Sequence, residues 1–365
     1  MPDYINCISE KSMSEPGLIV NYSDLILITG SNGFIGSRVV ETLLGYGFMN
    51  LRCLVRPSSD LTVLNRVINL HKKAKVEVIK GNLLSQEDCN KLAEDVKVIY
   101  HLAAGRGEKS FANAYLNSVV TTRNLLTSAQ QYSSLRRFVS ISSFTVYSNF
   151  KLRHGDLLDE TCEIEVDPEA RGEAYCFAKV RQEEIAVEYC KKYGFPHVIM
   201  RPGVVYGPGN KGIHGRIGIG TFGVFLHLGG RNKIPLTYVD NCADAIVLAG
   251  ILKDVDGEIF NIVDDDLPTS REFLKIYKKN VMNFRSLYVP YWIFYQFCYL
   301  WENFSKWSDG QLPPLFNRKM CSNYWKGNRY SNKKLKELLG WKPHVSFQEA
   351  ARQYVDYQKA VGGLR

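Results

Sequence analysis

Leu25-Ile-Leu-Ile-Thr-Gly30-Ser-Asn-Gly33-Phe-Ile-Gly36 is the stretch that decides the fold. A run of apolar residues leads into glycines spaced three apart, and then into Ser37–Leu44, where apolar residues recur at helical spacing. This order predicts a buried strand, a tight turn and an amphipathic helix. Gly30 and Gly33 allow a pyrophosphate to approach the backbone, and Gly36 lets the helix lie close to the strand. Because a helix N-terminus offers free N–H groups and a partial positive charge, we predict a dinucleotide-binding turn.

Strands and helices alternate along the residues that follow this turn. This rhythm predicts a parallel, doubly wound sheet with short right-handed crossovers, whose ligands bind at the carboxyl ends of the strands. The expected fold is therefore α/β, with a doubly wound parallel Rossmann sheet and a smaller, interwoven C-terminal α/β substrate lobe. The predicted strands span 51–55, 76–79, 96–102 and 138–141, and the predicted helices span 60–70 and 111–132. The predicted domains are a loose N-terminal tail over 1–23, a Rossmann domain over 24–205 and a mainly substrate-binding lobe over 206–365.

The second half of the chain is less regular. We predict a long helix over 170–193, a strand over 197–200 and a loop over 201–209, where glycines and prolines are frequent. A short strand over 236–239 then leads into a helix over 240–252, which Asp240 or Asn241 would cap.

Composition sets the class of protein. The chain has 365 residues, 45% of them hydrophobic, and a formal net charge of +9. A mild basic excess suits anionic cofactors or substrates, but no Lys/Arg run is interleaved with aromatic residues, so we expect no nucleic-acid partner. The nine cysteines are scattered and form no Cys-x-x-Cys motif, and the histidines show no metal-ligand spacing, so we expect reduced thiols and no metal. A cytoplasmic protein is the simplest interpretation.

Tyr175-Cys-Phe-Ala-Lys179 places two polar side chains on one face of a predicted helix, because residues four apart are neighbours there. A tyrosine hydroxyl has a pKa of roughly 10, and an adjacent ammonium would lower the pKa of that phenol into the range of general acid/base catalysis. A surface Tyr–Lys pair is the alternative. Ser142 and Ser143 follow a predicted strand where the sheet opens, so a serine hydroxyl there would hold a substrate oxygen against Tyr175.

With these pieces together, the chain resembles the extended branch of the short-chain dehydrogenase/reductase superfamily over roughly residues 25 to 355. This branch includes nucleotide-sugar epimerases and dehydratases, 3β-hydroxysteroid dehydrogenases and dihydroflavonol-type reductases. The matching stretches are Thr29–Gly36, His101-Leu-Ala-Ala104, Asn117 with Asn124-Leu-Leu126, Ser140-Ile-Ser-Ser143, Tyr175-x-x-x-Lys179, Arg201-Pro-Gly-Val-Val-Tyr-Gly-Pro208, Tyr238-Val-Asp240 and 332–343.

The resemblance implies a role for each of these residues. Tyr175 would be the acid/base, Lys179 would bind the nicotinamide ribose and tune Tyr175, and Ser143 would orient the reacting oxygen. A homodimer formed through helices 111–132 and 170–193 is also implied. The residues expected to contact the cofactor are Gly30, Asn32, Gly33, Phe34, Ile35, Gly36, Arg56, Ser58, Asn82, Leu83, Leu102, Ala103, Ala104, Asn117, Ser142, Tyr175, Lys179, Arg201, Pro202 and Val204.

The end of the second strand favours NADP over NAD. NAD-preferring members usually place Asp or Glu there, to bind the ribose 2′-hydroxyl. Here Arg56 and Ser58 would suit a 2′-phosphate through charge-assisted hydrogen bonds, although a solvated arginine is the alternative. Asn82 replaces the Asp that is usual at the adenine-contacting turn.

The reaction is less closely defined than the superfamily. Phe144 and Thr145 stand where dehydratases carry Asp-Glu, and Val204 stands where nucleotide-sugar epimerases usually carry Asn. We therefore expect an NAD(P)-dependent oxidoreductase that interconverts a secondary alcohol and a ketone. The substrate would be a small molecule such as a sugar nucleotide, a steroid-like compound or another hydroxy or keto compound. An NAD-dependent nucleotide-sugar epimerase and a non-catalytic cofactor-binding sensor are the alternatives.

Residues 287–301 form an aromatic run without a charged residue. The run is shorter than the roughly 20 residues that cross a bilayer. We expect a segment that packs over the substrate cleft, and peripheral contact with a membrane is the alternative.

Overall fold

Seven parallel strands form the central sheet of the computed structural model, which describes residues 17–105, 110–132, 134–308, 311 and 316–362. The strands of the described residues are β1 (Ile26–Thr29), β2 (Asn50–Val55), β3 (Lys75–Lys80), β4 (Val98–His101), β5 (Arg137–Ile141), β6 (Leu157–Leu158), β7 (His197–Pro202), β8 (Val204–Tyr206), β9 (Gly218–Thr221), β10 (Val224–His227), β11 (Leu236–Tyr238), β12 (Ile259–Ile262), β13 (Ser286–Tyr288) and β14 (Arg329–Tyr330). The order in the sheet is β12-β7-β5-β4-β1-β2-β3, which confirms the doubly wound parallel fold.

Helices cover both faces of this sheet. The α-helices of the described residues are α1 (Gly36–Gly45), α2 (Thr62–Leu70), α3 (Gln86–Ala93), α4 (Phe111–Tyr115), α5 (Thr121–Ala129), α6 (Ala174–Tyr193), α7 (Val239–Ile251), α8 (Ser270–Asn280), α9 (Tyr291–Trp307), α10 (Arg318–Trp325), α11 (Lys333–Leu339) and α12 (Phe347–Ala360). A π-helical turn, Leu116–Val120, joins α4 to α5. The apolar faces of α1, α2, α7 and α11 pack in one core cluster, and those of α3, α5 and α6 in another on the opposite side of β1.

Strand β1 lies at the point where the order of the strands in the sheet reverses. Ile26 pairs with Leu51 of β2 on one side and with Val98 of β4 on the other. The chain therefore reverses its direction of progress between β1 and β4, which is where doubly wound sheets open a crevice for a ligand.

The sheet takes its last strand from late in the sequence. β12 pairs with β7 through Ile259 and Ile199, and α7 packs against α1. Residues beyond 205 thus contribute to the Rossmann sheet as well as to the second lobe.

Three local predictions are wrong. The helix expected from 170 begins at Ala174, and the loop expected over 201–209 contains the end of β7 and all of β8. Neither predicted cap of α7 acts as one, because the N-cap position is Tyr238 without a side-chain bond. The Asn241 side chain instead accepts hydrogen bonds from the N–H groups of His344 and Val345, so it ties α7 to the C-terminal region.

The end of the predicted tail is also ordered against the sheet domain. The Ile19 N–H donates to Ile251 O over 2.9 Å, and Val20 is buried. The tail is therefore not loose over residues 17–20, and residues 1–16 lie outside the described part of the chain.

The aromatic segment 287–301 forms part of β13 and most of α9. Phe294 and Cys298 are buried in a cluster with Trp325 of α10. Trp292 and Leu300, however, are 66% and 64% exposed, so the outer face of the segment is not covered by other described residues, and its packing over a substrate cleft stays a prediction. Across the described residues, no helix combines the length and apolarity that spanning a lipid bilayer requires.

Candidate active site

The predicted site residues converge because the strands are parallel. The glycine-rich turn follows β1, Arg56 follows β2, Ala103 follows β4 and Ser143 follows β5, while Val204 comes just after β7. Carboxyl ends of parallel strands meet at one edge of the sheet, so residues far apart in sequence border one crevice.

The glycine-rich turn has the close backbone packing that its sequence predicts. Gly30 has a φ of +67°, and Gly33 N donates to Gly30 O over 2.9 Å. A Cβ at Gly36 would clash with the backbone of Gly30, so only glycine lets α1 begin this close to β1. Helix α1 has no side-chain cap, and its N-terminus therefore remains suited to an anion. Asn32 turns away from this cradle, since its Nδ2 donates to Asp60 O.

Tyr175 lies in the first turn of α6, and the Ser143 hydroxyl is near enough to its phenol to lower the pKa of that group. The residue is 36% exposed, so part of it borders open space, while the surroundings of its hydroxyl are dense enough to raise the same pKa. Ser143 is fixed in turn, because its Oγ accepts from Thr145 N over 3.2 Å. The neighbouring Ser142 is buried, and its hydroxyl has no hydrogen-bond partner among the described residues.

Lys179 lies one helical turn beyond Tyr175 and is buried. Its Nζ donates to Ile141 O over 2.7 Å and to Gln182 Oε1 over 2.9 Å, and lies 6.0 Å from the centre of the Tyr175 ring. The two side chains share one face of α6, as the spacing predicts.

The electrostatics differ from the expectation drawn from sequence. Burial raises the pKa of Tyr175, and the nearby Ser143 hydroxyl opposes that rise. Burial lowers the pKa of Lys179 to about 8, while the charge of Glu183 acts in the opposite direction. The expected lowering of the Tyr175 pKa by Lys179 is therefore not what dominates here, since burial is the largest influence on that pKa and acts in the opposite direction.

Arg201 is engaged within the protein interior. Its guanidinium is 1% exposed, and it binds both carboxylate oxygens of Glu183, over 2.9 and 2.6 Å, and the Tyr147 hydroxyl over 3.0 Å. This ion pair joins β7 to α6, so the Arg201 side chain supports the helix that carries Tyr175. Pro202 and Val204, in β7 and β8, are likewise buried.

The outer part of the crevice is more open. Arg56 and Ser58 are exposed beyond β2, and Arg56 forms no ion pair with another described residue. The Asn82 side chain accepts from Leu84 N over 3.0 Å, which shapes the turn, and Asn124 Nδ2 donates to Leu83 O over 3.0 Å. The other predicted contacts, Phe34, Ile35, Leu102, Ala104 and Asn117, are half-buried around the same edge.

These residues fit a dinucleotide. Three features lie along the crevice at the carboxyl ends of the strands around β1 and β4. They are a backbone cradle that a Cβ would fill, an uncapped helix N-terminus and the Ser142 hydroxyl, which has no partner among the described residues. Among the described residues, no three His, Cys, Asp or Glu side chains are grouped to hold a metal ion.

Sequence reasoning did not identify several supporting side chains. Glu183 and Gln182 stand on α6 close to Lys179, and Gln182 donates to Thr122 of α5 while Glu183 binds Arg201 of β7. Thr122 and Arg201 lie 60 and 18 residues from their partners, so no local pattern indicates these two contacts. The only available signal was a run of polar residues on an otherwise buried helix face.

Fold and site together define a Rossmann-type enzyme with a Tyr-x-x-x-Lys helix at the cofactor crevice. The chain belongs to the NAD dependent epimerase/dehydratase family, whose pattern matches residues 26–262, and thus to the extended short-chain dehydrogenase/reductase superfamily. The uncharacterized UDP-glucose epimerase YtcB of Bacillus subtilis is 30% identical over 191 residues, which are 50% of this chain and 57% of YtcB. The match thus spans little more than half of that relative.

Two further proteins match over nearly the whole chain. The decarboxylating sterol-4-alpha-carboxylate 3-dehydrogenase of Candida albicans is 27% identical over 91% of this chain and 97% of its own length. The structure of UDP-glucuronic acid 4-epimerase from Bacillus cereus, in complex with UDP-glucuronic acid and NAD, superposes with a TM-score of 0.69. It is 21% identical, and the match covers 92% of this chain and 99% of that one, which supports the fold.

Proposed function

We propose that this chain is an NAD(P)-dependent oxidoreductase that interconverts a secondary alcohol and a ketone. The observation that supports this most is the proximity of Tyr175 and Ser143 at the carboxyl edge of the sheet, where the Ser143 hydroxyl acts on the pKa of the phenol and Lys179 lies on the same face of α6. Two hydroxyls at one point can hold a single substrate oxygen, one as proton donor and one as orienting group.

Each of these residues has a distinct task in this proposal. A bound nicotinamide dinucleotide supplies the hydride chemistry. Tyr175 passes its proton to the substrate oxygen during reduction and takes it back during oxidation, and Ser143 holds that oxygen in place. Lys179 donates to the ribose hydroxyls of the cofactor. Because burial raises the pKa of Tyr175, the phenol is protonated at neutral pH and suited to reduction.

An epimerase would use the same three residues, and the similarity to UDP-sugar epimerases keeps it as the second candidate. Retention of the cofactor distinguishes the two functions, because an epimerase regenerates its NAD in each turnover and need not release it. We expect dialysis followed by native mass spectrometry to leave the chain free of dinucleotide. Tightly retained NAD after dialysis would contradict the oxidoreductase and support the epimerase.

Arg56→Asp should change the cofactor preference from NADP towards NAD. A 2′-phosphate would lose its charge partner and meet a like charge, whereas a ribose 2′-hydroxyl would gain an acceptor. We expect the ratio of the NADPH and NADH dissociation constants to change by about tenfold or more. The control is Lys73→Asp. It makes the same charge change at an exposed residue just before β3, at the amino ends of the strands and so away from the crevice. An unchanged ratio in the Arg56 variant would show that this arginine only faces solvent.

We also propose that the outer face of α9 contacts anionic lipid. Trp292, Leu300 and Trp307 are each more than 60% exposed on that face. Lys306 is exposed on α9 next to Trp307, and the Arg271 guanidinium lies 5.5 Å from the ring of Tyr288 in the strand before α9. Aromatic side chains beside basic ones suit a membrane interface.

Co-sedimentation with vesicles tests this surface. The chain should bind phosphatidylglycerol-containing vesicles at low salt, bind less at high salt, and lose binding when Trp292 and Trp307 are both replaced by Ser. Phe294 is unsuitable for this test because it is buried. Leu70→Ser, at a 71% exposed residue of α2, is the matched control. Absence of binding at low salt, or equal binding by the double variant, would contradict the membrane contact.

The homodimer remains a proposal as well. Phe111 and Leu116, near the start of the helices expected to form its interface, are 38% and 47% exposed, which supports an apolar contact there.

A further inference from the structure

The ammonium of Lys179 is held by neutral oxygens. Its two partners are the Ile141 carbonyl and the Gln182 side-chain oxygen, at 2.7 and 2.9 Å, and the lysine is 4% exposed. Glu183, the acidic residue whose charge acts on it, is itself bound to Arg201. An ammonium has three N–H groups, so one remains for a ligand in the crevice.

Gln182 connects the Lys179 ammonium to α5 through a second hydrogen bond. An ammonium can only donate, so the Gln182 atom facing Lys179 is the oxygen, and its Nε2 is left to donate to Thr122 Oγ1 over 2.9 Å. Thr122 Oγ1 also lies 2.6 Å from Ser118 O, which can only accept. The Thr122 proton therefore points to Ser118, and its lone pairs receive Gln182 and one further donor.

That further donor is His101. A line of hydrogen-bonded groups thus runs from Lys179 through Gln182 and Thr122 to His101, and from there towards the glycine-rich turn. His101 Nε2 lies 2.8 Å from Thr122 Oγ1 and must carry the proton, so Nδ1 accepts from Thr29 Oγ1 at 2.9 Å. Thr29 Oγ1 in turn accepts from Ala103 N over 3.2 Å. With a neutral imidazole, each polar group in the line thus has one role. Burial also lowers the pKa of His101 to about 3.

The line connects the two ends of the cofactor crevice. It starts at Lys179 on α6, passes through α5 and the ends of β4 and β1, and ends at Ala103 N, which would lie 3.0 Å from a Cβ placed on Gly30. Lys179, the proposed donor to the ribose, and the glycine-rich turn, the proposed cradle of the pyrophosphate, would contact the same dinucleotide. The distance between them must therefore match that molecule. An error of about 1 Å in such spacing can cost two orders of magnitude in rate.

We propose that Gln182 is a positioning residue. It orients the Lys179 ammonium and, through Thr122 and His101, fixes the position of that ammonium relative to the glycine-rich turn. Because His101 stays neutral and its only N–H is already donated, the line fixes positions and does not carry protons. This inference rests on the proposed function, since it takes Lys179 as the group that donates to the cofactor ribose.

The test is the pH dependence of NADPH binding between pH 6 and 10, measured on the full chain by nicotinamide fluorescence. Lys179 is charged below a pKa of about 8, so wild-type affinity should fall as pH rises through that value. Gln182→Glu adds a negative charge beside the ammonium and should move the midpoint up by about one pH unit. Gln182→Met removes an acceptor of the ammonium and should therefore move the pH midpoint of binding down. Shifts in opposite directions are not expected of a residue that only fills space.

Two further variants keep the test decisive if a Gln182 variant folds poorly. Thr122→Val leaves the Lys179–Gln182 contact in place but removes the link to His101, so affinity should fall about tenfold at pH 7, with the midpoint unchanged. Thr122→Ser keeps the hydroxyl and should restore binding. Gln131→Met, at an exposed residue just beyond α5, is the control for the substitution itself.

The outcomes separate the two levels of the proposal. Wild-type chain that binds neither NADPH nor NADH at any pH would overturn the proposed function, and this inference with it; if only NADH binds, the same pH titration is run with NADH. Wild-type binding with a midpoint near pH 8, combined with Gln182 variants that do not shift it or shift it in one direction, would overturn the role of Gln182 alone. Opposite shifts in the two variants would establish it.

Discussion

Tyr175→Phe is expected to reduce turnover by about a hundredfold or more while leaving folding and dinucleotide binding nearly intact. In the proposed mechanism the phenol hydroxyl is the proton donor, and it lies near Ser143 at the carboxyl edge of the sheet. Removing one oxygen atom from a side chain that is 36% exposed changes little of the core packing. The measurement is the rate of dinucleotide oxidation or reduction with a panel of ketones and secondary alcohols, together with the melting temperature.

Tyr193→Phe is the matched control for this variant. Tyr193 ends the same helix, α6, and is 42% exposed, but lies nearly five helical turns from Tyr175. Its replacement should leave both turnover and melting temperature unchanged. Wild-type rates in the Tyr175 variant, on any substrate that the enzyme turns over, would remove Tyr175 from the mechanism.

The part of the fold that sequence predicts best is the part where the backbone itself restricts the residue type. Gly30 adopts a positive φ, and Gly36 has no room for a Cβ, so both positions need glycine for local reasons. Apolar runs then specify buried parallel strands, and the carboxyl edge of the sheet follows from their direction. The positions of Ser143, Tyr175 and the turn could therefore be predicted before any contact was known.

The start of α6 depends on one local signal and one long-range contact. Gly172 adopts a φ of +75°, which is outside the helical region, and the buried Arg171 donates from Nη1 to Thr145 O while its guanidinium also contacts Glu173. The glycine is visible in the sequence as a helix breaker, whereas the contact with Thr145 is not. The helix begins only at Ala174, which places Tyr175 in the first helical turn.

The same limit applies to the supporting residues of the site. The Arg201 side chain was expected at the cofactor, but it is committed to Glu183, which no spacing rule connects to it. Gln182 is one of several polar residues on α6, and only the packing of α5 shows that it faces Thr122. The aromatic run 287–301 is a similar case, because its composition does not show that Phe294 is buried while Trp292 of the same helix is 66% exposed.

Gly33→Val should abolish or greatly weaken dinucleotide binding without unfolding the chain. Gly33 is exposed in the turn, and a Cβ there would lie 3.0 Å from Gly30 O, a tight contact that small adjustments can relieve. The valine side chain, however, would project where the proposed pyrophosphate must approach the backbone. We expect at least a tenfold loss of affinity, because the anion would be separated from its N–H donors.

Titration of the full chain with NADPH and with NADH, followed by nicotinamide fluorescence, therefore tests most directly whether this crevice holds a dinucleotide. The wild-type chain should show saturable binding of at least one of the two. Gly33→Val should lose it at an unchanged melting temperature, and Gly45→Val, at the open end of the same helix where a Cβ meets no atom within 4 Å, should keep it. Absence of saturable binding to the wild-type chain, or equal affinities for the wild-type chain and the Gly33 variant, would contradict the dinucleotide site on which the proposed function depends.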